Sequence, residues 1–181
     1  MRPLMKRFLV PGFLLLCALA AAPSALAGDS YLLVKAGAYT PQASDVDGFD
    51  TGFNGEIAIG RYVMPFLGIE LGGGYFDSSN GPIDLTVYPL TLAARLRLPL
   101  PIIKPYAIAG GGAYFASVDT PSLGSSDDTA FGYFAGAGVD FKIVFLLINI
   151  EAKYLWAQPS FYGIDTDIDG VVATVGVGVE F

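Results

Sequence analysis

The chain has 181 residues, and ten basic against seventeen acidic side chains give it a formal net charge of −7. This balance argues against nucleic acid as a partner. The sequence contains no histidine, which excludes Ser-His-Asp hydrolysis, histidine-ligated metals and histidine acid/base chemistry, and we expect that the protein is not an enzyme.

The N-terminal segment has the three parts of a secretory signal peptide. A basic start (residues 1–7) precedes an apolar run (8–22), and the small residues of Ala25-Leu26-Ala27 follow. A retained membrane helix is the alternative, because residues 8–27 are about long enough to span a bilayer. We predict cleavage after Ala27, which divides the chain into a signal peptide, 1–27, and a barrel domain, 28–181. The mature chain then keeps seven basic residues, a formal charge of −10, and no cysteine.

Beyond the signal, hydropathy alternates with a period of two residues, which is typical of β-strands. Eight stretches carry this pattern: 30–40, 53–63, 66–76, 84–98, 104–117, 129–142, 145–157 and 170–181. Eight is an even number and the smallest known for bacterial transmembrane barrels, which have short periplasmic turns and longer external loops. The connections alternate in this way, with short ones at 64–66, 99–103 and 143–145, long ones at 41–52, 117–129 and 158–169, and an intermediate one at 77–83.

The charged residues of the strands fall on one of the two faces. In the seventh stretch Asn149, Glu151 and Lys153 share one phase, and the apolar and aromatic residues share the other. We expect the apolar phase to face lipid, although Arg61 falls on it and the glycine-rich fifth stretch has no clear phase. A soluble lipocalin-like barrel would instead turn the apolar phase inward. The uninterrupted apolar face, the scarcity of strand charge and the loop pattern favour the membrane.

Eight strand charges are predicted to lie inside the barrel, four of each sign: Lys35, Arg95, Arg97 and Lys153 with Glu56, Glu70, Asp140 and Glu151. Buried ions require partners, so a balanced set fits a closed interior. We interpret it as a salt-bridged polar plug. A narrow ion path with Arg95 and Arg97 on its basic side is the alternative. Lys104 and Lys142, at the ends of their stretches, lie at the short turns.

The long connections are acidic. They carry Asp45, Asp47, Asp50, Asp77, Asp84, Asp119, Asp127, Asp128, Asp165, Asp167 and Asp169, and no basic residue. Beside anionic lipopolysaccharide this acidic external rim should recruit divalent cations. We expect no cofactor other than such loop-bound cations. The spacing of Asp165, Asp167 and Asp169 before Gly170 matches the first six positions of an EF-hand calcium loop. The twelfth position, which should be a bidentate glutamate, is Gly176. A weak calcium site is therefore weighed against an ordinary acidic turn.

Three motifs carry a family resemblance: Val87-Tyr88-Pro89-Leu90-Thr91-Leu92, Lys104-Pro105-Tyr106 before Gly110-Gly111-Gly112, and Gly136-Ala137-Gly138-Val139-Asp140-Phe141. With them, residues 31–181 resemble the outer-membrane β-barrel domain proteins, eight-stranded relatives of OmpA, OmpX and OmpW. The last strand looks like the sorting signal read by the barrel assembly machinery, through Thr174, Gly176, Val179 and Phe181. The resemblance implies a bacterial outer-membrane location and contact with membrane lipid and lipopolysaccharide.

We therefore predict an all-β, eight-stranded antiparallel up-and-down barrel that spans the outer membrane. The leading hypothesis is a structural or surface-interaction protein; an adhesin that acts through its acidic loops is a separate, third hypothesis. A narrow transporter for small, including hydrophobic, solutes is the alternative, and a secreted lipocalin-like binding barrel is the second. The sequence leaves the solute, the surface partner and the oligomeric state open.

Overall fold

The computed structural model describes residues 29–46, 48–120, 124–161 and 164–181; the predicted signal peptide and Asp47 lie outside the described residues. Its elements are β1 (Ser30–Pro41), a 3-10 helix (Ser44–Val46), β2 (Gly52–Met64), β3 (Leu67–Asn80), β4 (Ile83–Arg97), β5 (Ile103–Thr120), β6 (Gly124–Ile143), β7 (Leu146–Ala157), β8 (Ser160–Phe161), β9 (Ile164–Asp165) and β10 (Gly170–Glu180). Among these residues, no helix is long and apolar enough to cross a membrane.

Strands β1 to β7 and β10 form a closed barrel in which each strand pairs antiparallel with its neighbours. The barrel closes between the first and last strands, where the register runs from Tyr31↔Glu180 to Pro41↔Gly170. β8 and β9 form a separate two-stranded hairpin in the connection between β7 and β10. The predicted eight-stranded antiparallel up-and-down barrel is confirmed.

The two ends of the barrel differ in their connections. The turn end carries residues 65–66, 98–102 and 144–145 together with Ser30 and Glu180, and the loop end carries residues 42–51 and 158–169. The prediction of a long loop at 117–129 is wrong, because most of this segment belongs to β5 and β6, which stay paired as far as Thr120↔Gly124. The intermediate connection at 77–83 is a two-residue turn that begins at Gly81, whose φ is +58°. Polar side chains marked these segments as loops, yet their backbones continue the hydrogen-bonded ladders.

The predicted faces are confirmed by the burial of the strand residues. The outward phase exposes apolar side chains such as Val34, Ile57 and Leu92, whereas Arg95 is fully buried. The lipocalin-like alternative is therefore wrong, because it would place these groups the other way round. Arg61 lies half-buried on the outward phase, as expected.

The fifth strand, whose phase the sequence left open, points its even-numbered residues inward. Lys104, Tyr106, Ile108 and Tyr114 are all buried in the interior. Lys104 is thus an interior residue beside a short turn, and the eight predicted interior charges did not include it.

Candidate functional site

The interior charges form two layers, of which the larger lies in the middle of the barrel. This central network consists of Lys35, Arg95, Lys153, Glu56, Glu70, Asp140 and Glu151. Side chains two residues apart on a strand share a face, so the period of two places all seven in the lumen. The structure brings together seven of the eight predicted interior charges, and Arg97 lies in the second layer.

Lys35 lies at the centre of this network, with its side chain fully buried. Its Nζ is 2.9 Å from Glu56 Oε1, 3.0 Å from Glu151 Oε1 and 3.4 Å from Glu70 Oε1. Lys153 also contacts Glu56 and Glu151. One lysine therefore joins carboxylates from three strands, β2, β3 and β7, across the lumen.

Arg95 extends the network to the other side of the barrel. Its Nη1 is 3.4 Å from Glu70 Oε2 and its Nη2 is 3.0 Å from Asp140 Oδ2. The guanidinium also stacks over the Tyr106 ring, 3.5 Å from its centroid, an arrangement that favours cations. Asn149 Nδ2 donates to Asp140 Oδ1 at 2.7 Å, so neutral groups satisfy lone pairs that the cations leave.

The second layer, the turn-end cluster, consists of Asp29, Arg97, Lys104, Lys142 and Glu180. Lys104 Nζ is 3.0 Å from Glu180 Oε2, and Arg97 Nη1 is 3.4 Å from the same atom. Lys142 binds the other carboxylate oxygen, Oε1. A single carboxylate of β10 thus receives cations from β4, β5 and β6.

The four-to-four count predicted from the sequence is wrong, because it omitted most of the turn-end cluster. Lys142 joins Lys104 as a cation beside a short turn that the predicted count did not include. With the half-exposed Asp29 and with Glu180, the two layers together hold six cations and six anions. The central network carries a formal excess of one negative charge and the turn-end cluster one positive charge, so the balance holds for the whole lumen.

Arg97 has a further set of contacts at the mouth of the barrel. Its Nη2 donates to Asp29 Oδ2 at 2.6 Å, its Nε donates to the carbonyl of Pro65 at 3.0 Å, and the guanidinium lies 3.4 Å from the Tyr62 ring centroid. The hydrogen bond from Arg97 holds the pKa of the Asp29 carboxyl below its usual range.

An apolar plug fills the lumen at the loop end. It consists of Tyr39, Val46, Phe76, Leu85, Val87, Tyr114, Ala116, Leu155, Ala157, Ile168 and Val172. Two of its members come from the long connections: Val46 from the 3-10 helix and Ile168 from the segment before β10. Tyr39 Oη donates to the Ile168 carbonyl at 2.8 Å. The loops therefore fold inward and cover the barrel.

Between the plug and the central network lies a cavity of about 20 Å³, bordered by Glu56, Lys153, Phe76 and Tyr114 among others. This volume holds about one water molecule. A larger concavity of about 510 Å³, the turn-end basin, opens at the other end, and it is lined by Asp29, Tyr62, Val63, Met64, Pro65, Arg97, Pro99, Leu100, Pro101, Lys104 and Lys142.

The three aspartates weighed as a calcium site are not brought together. Among the described residues, which include all three, no group of histidine, cysteine or carboxylate side chains is arranged to hold a metal ion. Asp169 Oδ1 instead accepts the backbone N–H of Ala157 at 3.0 Å, while Asp165 is exposed in β9. Burial raises the pKa of Asp169. The geometry is that of an acidic turn.

The residues of the sorting signal occupy both faces of β10. Thr174 and Gly176 point into the lumen, whereas Val179 and Phe181 lie on the outward phase. Whether the assembly machinery reads them stays a prediction.

A family comparison decides what kind of protein carries this interior. The sequence pattern of the outer membrane protein beta-barrel domain matches residues 12–181. The chain belongs to this family. It is a bacterial outer-membrane β-barrel protein, in agreement with the resemblance seen in its motifs. No curated protein sequence matches the chain.

Solved outer-membrane barrels share the fold at low sequence identity. The chain is similar to Neisserial surface protein A (NspA), with a TM-score of 0.70 and 20% identity over 84% of this chain and 97% of NspA. It is also similar to Ail, the attachment invasion locus protein of Yersinia pestis, in complex with the heparin analogue sucrose octasulfate. The TM-score is 0.57 and the identity 16%, over 85% of this chain and 99% of Ail. For the outer membrane protein OprG from Pseudomonas aeruginosa the TM-score is 0.56 and the identity 16%, over 86% of this chain and 96% of OprG. Such identities show the fold alone.

Proposed function

We propose that this family member is a non-enzymatic outer-membrane protein with a structural and surface-interaction role, and that its lumen does not conduct. The observation that carries the proposal is the filled interior. The apolar plug covers the loop end, the central network crosses the middle, and the cavity between them holds about one water molecule. Eight strands enclose a lumen that side chains fill.

The loop end supplies the surface for an interaction. The β5–β6 hairpin rises above β7, because β6 pairs with β7 only from Gly132↔Ala157 onward and continues to Gly124. It carries Asp119, Asp127 and Asp128, and residues 112–132 contain no lysine or arginine. NspA is a surface protein and Ail an attachment protein by name, which supports a surface role.

The charge of the loop end indicates a different partner from the sulfated heparin analogue in the Ail complex. An acidic surface repels sulfated sugars, so the partner in this case is cationic or is bridged by divalent cations. Lipopolysaccharide fits the second description, since its phosphates and the aspartates would share cations. Membrane lipid surrounds the outward-facing apolar side chains of the strands, and the barrel assembly machinery inserts the chain through β10.

One observation favours the transporter alternative. Pairing between β3 and β4 stops at Gly73↔Leu90 and resumes at Phe76↔Val87, which leaves a gap in the hydrogen-bonded ladder beside Pro89, since proline has no N–H to donate. Gly73 and Pro89 also border the small cavity. A solute larger than water would have to displace side chains before it reached this gap.

Single-channel recording in planar bilayers tests the proposal. The purified barrel should give no conductance steps, and Arg95→Gln should also give none. Steps in the wild type that change in Arg95→Gln but not in Arg61→Gln, whose side chain lies on the outward phase, would show an ion path through the lumen and refute the closed interior. Accumulation of small hydrophobic solutes in vesicles that contain the barrel would support the transporter instead.

A further inference from the structure

The turn-end basin is a concave site with rigid walls. It lies between the β2–β3 turn, which contains Pro65, and the β4–β5 connection, which contains Pro99 and Pro101. Because each proline ring fixes one backbone dihedral angle, these walls lose little freedom when a ligand is held between them. The volume of about 510 Å³ admits a small polar headgroup.

The charged side of the basin is built to receive an anion. Arg97, Lys104 and Lys142 line it, and the carboxylates of the turn-end cluster leave one cation in excess. Lys142 is the accessible cation, with its side chain 29% exposed. An ammonium group has three donors, and the contact with Glu180 uses one of them.

Asp29 shows how an oxyanion fits here. Its carboxylate is 51% exposed and accepts a 2.6 Å hydrogen bond from Arg97 Nη2. One oxygen of an incoming phosphate would accept the hydrogen bond from Arg97 Nη2, and a second oxygen would contact Lys142. Asp29 would compete with such a ligand through repulsion and through occupation of the guanidinium.

The rim of the basin indicates where the anion comes from. Val63, Met64 and Leu100 are 57%, 50% and 48% exposed, and they continue the apolar belt that includes Leu98 and Ile102. In outer-membrane barrels the short turns face the periplasm, so this belt meets the phospholipid leaflet. A lipid whose acyl chains lie on the belt brings its headgroup to the basin.

We propose that the turn-end basin binds the phosphate of an anionic phospholipid headgroup from the periplasmic leaflet. Basic pockets at a membrane surface bind anionic lipid headgroups in other proteins by the same chemistry. This site does not depend on whether the lumen conducts or the loops bind a partner.

Native mass spectrometry of the full barrel, purified from mixed vesicles of phosphatidylglycerol and phosphatidylethanolamine, tests the site. The wild type should retain phosphatidylglycerol in preference to phosphatidylethanolamine. Lys142→Gln should lower this preference about fivefold, the contribution of one surface cation near an anionic lipid. Asp29→Asn should raise the preference, because it removes the competing carboxylate. The heat-dependent shift in gel migration confirms that each variant is folded.

Arg61→Gln is the matched control, since it removes a cation at the same end of the barrel that does not line the basin. It should change the preference less than Lys142→Gln does. Equal losses in the two variants, or no loss in Lys142→Gln, would overturn the proposal. If Lys142→Gln fails to fold, a preference in Asp29→Asn no higher than in the wild type overturns it. Complete displacement of the lipid by an equal concentration of glycerol 3-phosphate would assign the basin to a soluble phosphate and refute the lipid.

Discussion

Lys35→Met tests whether the central network holds the barrel together. Methionine keeps most of the length of the lysine side chain and removes its charge. Glu56, Glu70 and Glu151, which lie within 2.9 to 3.4 Å of Lys35 Nζ, lose their shared partner in a fully buried site. Removal of one partner from a buried ion pair costs about 3–5 kcal/mol, because the remaining charge is uncompensated. We expect the free energy of unfolding to fall by about this amount.

Urea unfolding in phospholipid vesicles measures the change, with the single tryptophan, Trp156, as the fluorescent reporter. Lys153→Met is the matched control. It removes the same charge from the same network, but its side chain is 11% exposed, so solvent compensates part of the loss and the effect should be smaller. Adding Glu151→Gln to Lys35→Met should restore part of the stability, because it returns the formal charge of the central network from −2 to the wild-type −1. A loss below about 1 kcal/mol in Lys35→Met, or no recovery in the double variant, would refute the structural role of the network.

Gly112→Ala should destabilise the barrel by about 1–3 kcal/mol in the same urea assay, because its Cβ would lie 2.1 Å from the Leu90 carbonyl oxygen. Gly73→Ala, whose Cβ would meet only one atom, at 3.9 Å, should be close to neutral, and equal effects would contradict the packing argument. Asp169→Asn should improve stability near neutral pH and have no benefit at acidic pH. Burial raises the pKa of Asp169 above its usual value, so the ionised carboxylate destabilises the folded state once the pH is high enough to ionise it. Urea titrations at several pH values measure this, and a benefit confined to acidic pH would contradict it. Ile168→Ala should loosen the loop-end plug locally, so amide hydrogen exchange should accelerate in residues 164–169 more than in the barrel strands; uniform acceleration would show that the plug is not a separate unit.

The strands were predictable because three constraints coincide in them. A strand between lipid and a polar lumen must alternate, glycine argues against helices, and the connections vary in length from one end to the other. The boundaries at the loop end were not predictable by the same means. Asp119, Ser125 and Asp127 are typical of loops, but above the bilayer both faces of a paired strand meet water, and alternation no longer requires an apolar side.

The interior charges were predicted where the phase of the strand was clear. Lys104 was missed because its strand is rich in glycine and alanine. The register across the hairpin would have found it, since cross-strand partners share a face and Lys104 pairs with Asp140. Lys142 follows Asp140 by two residues on one strand, and this spacing also indicated an inward side chain. The role of Asp29 as an anion for Arg97 depends on contacts between distant segments, which no local pattern reports.

The distribution of charge along the barrel axis connects these observations. The seven basic residues of the mature chain lie in the lumen or towards the turn end, and the long connections at the loop end hold only acidic ones. The two ends must therefore select different neighbours: the loop end repels anionic sugars unless cations bridge them, and the turn end attracts anionic headgroups. Because the lumen between them is neutral in sum and filled, neither end needs a pore to act. The central network lies between the two surfaces, and Lys35→Met tests whether it also stabilises the barrel that carries them both.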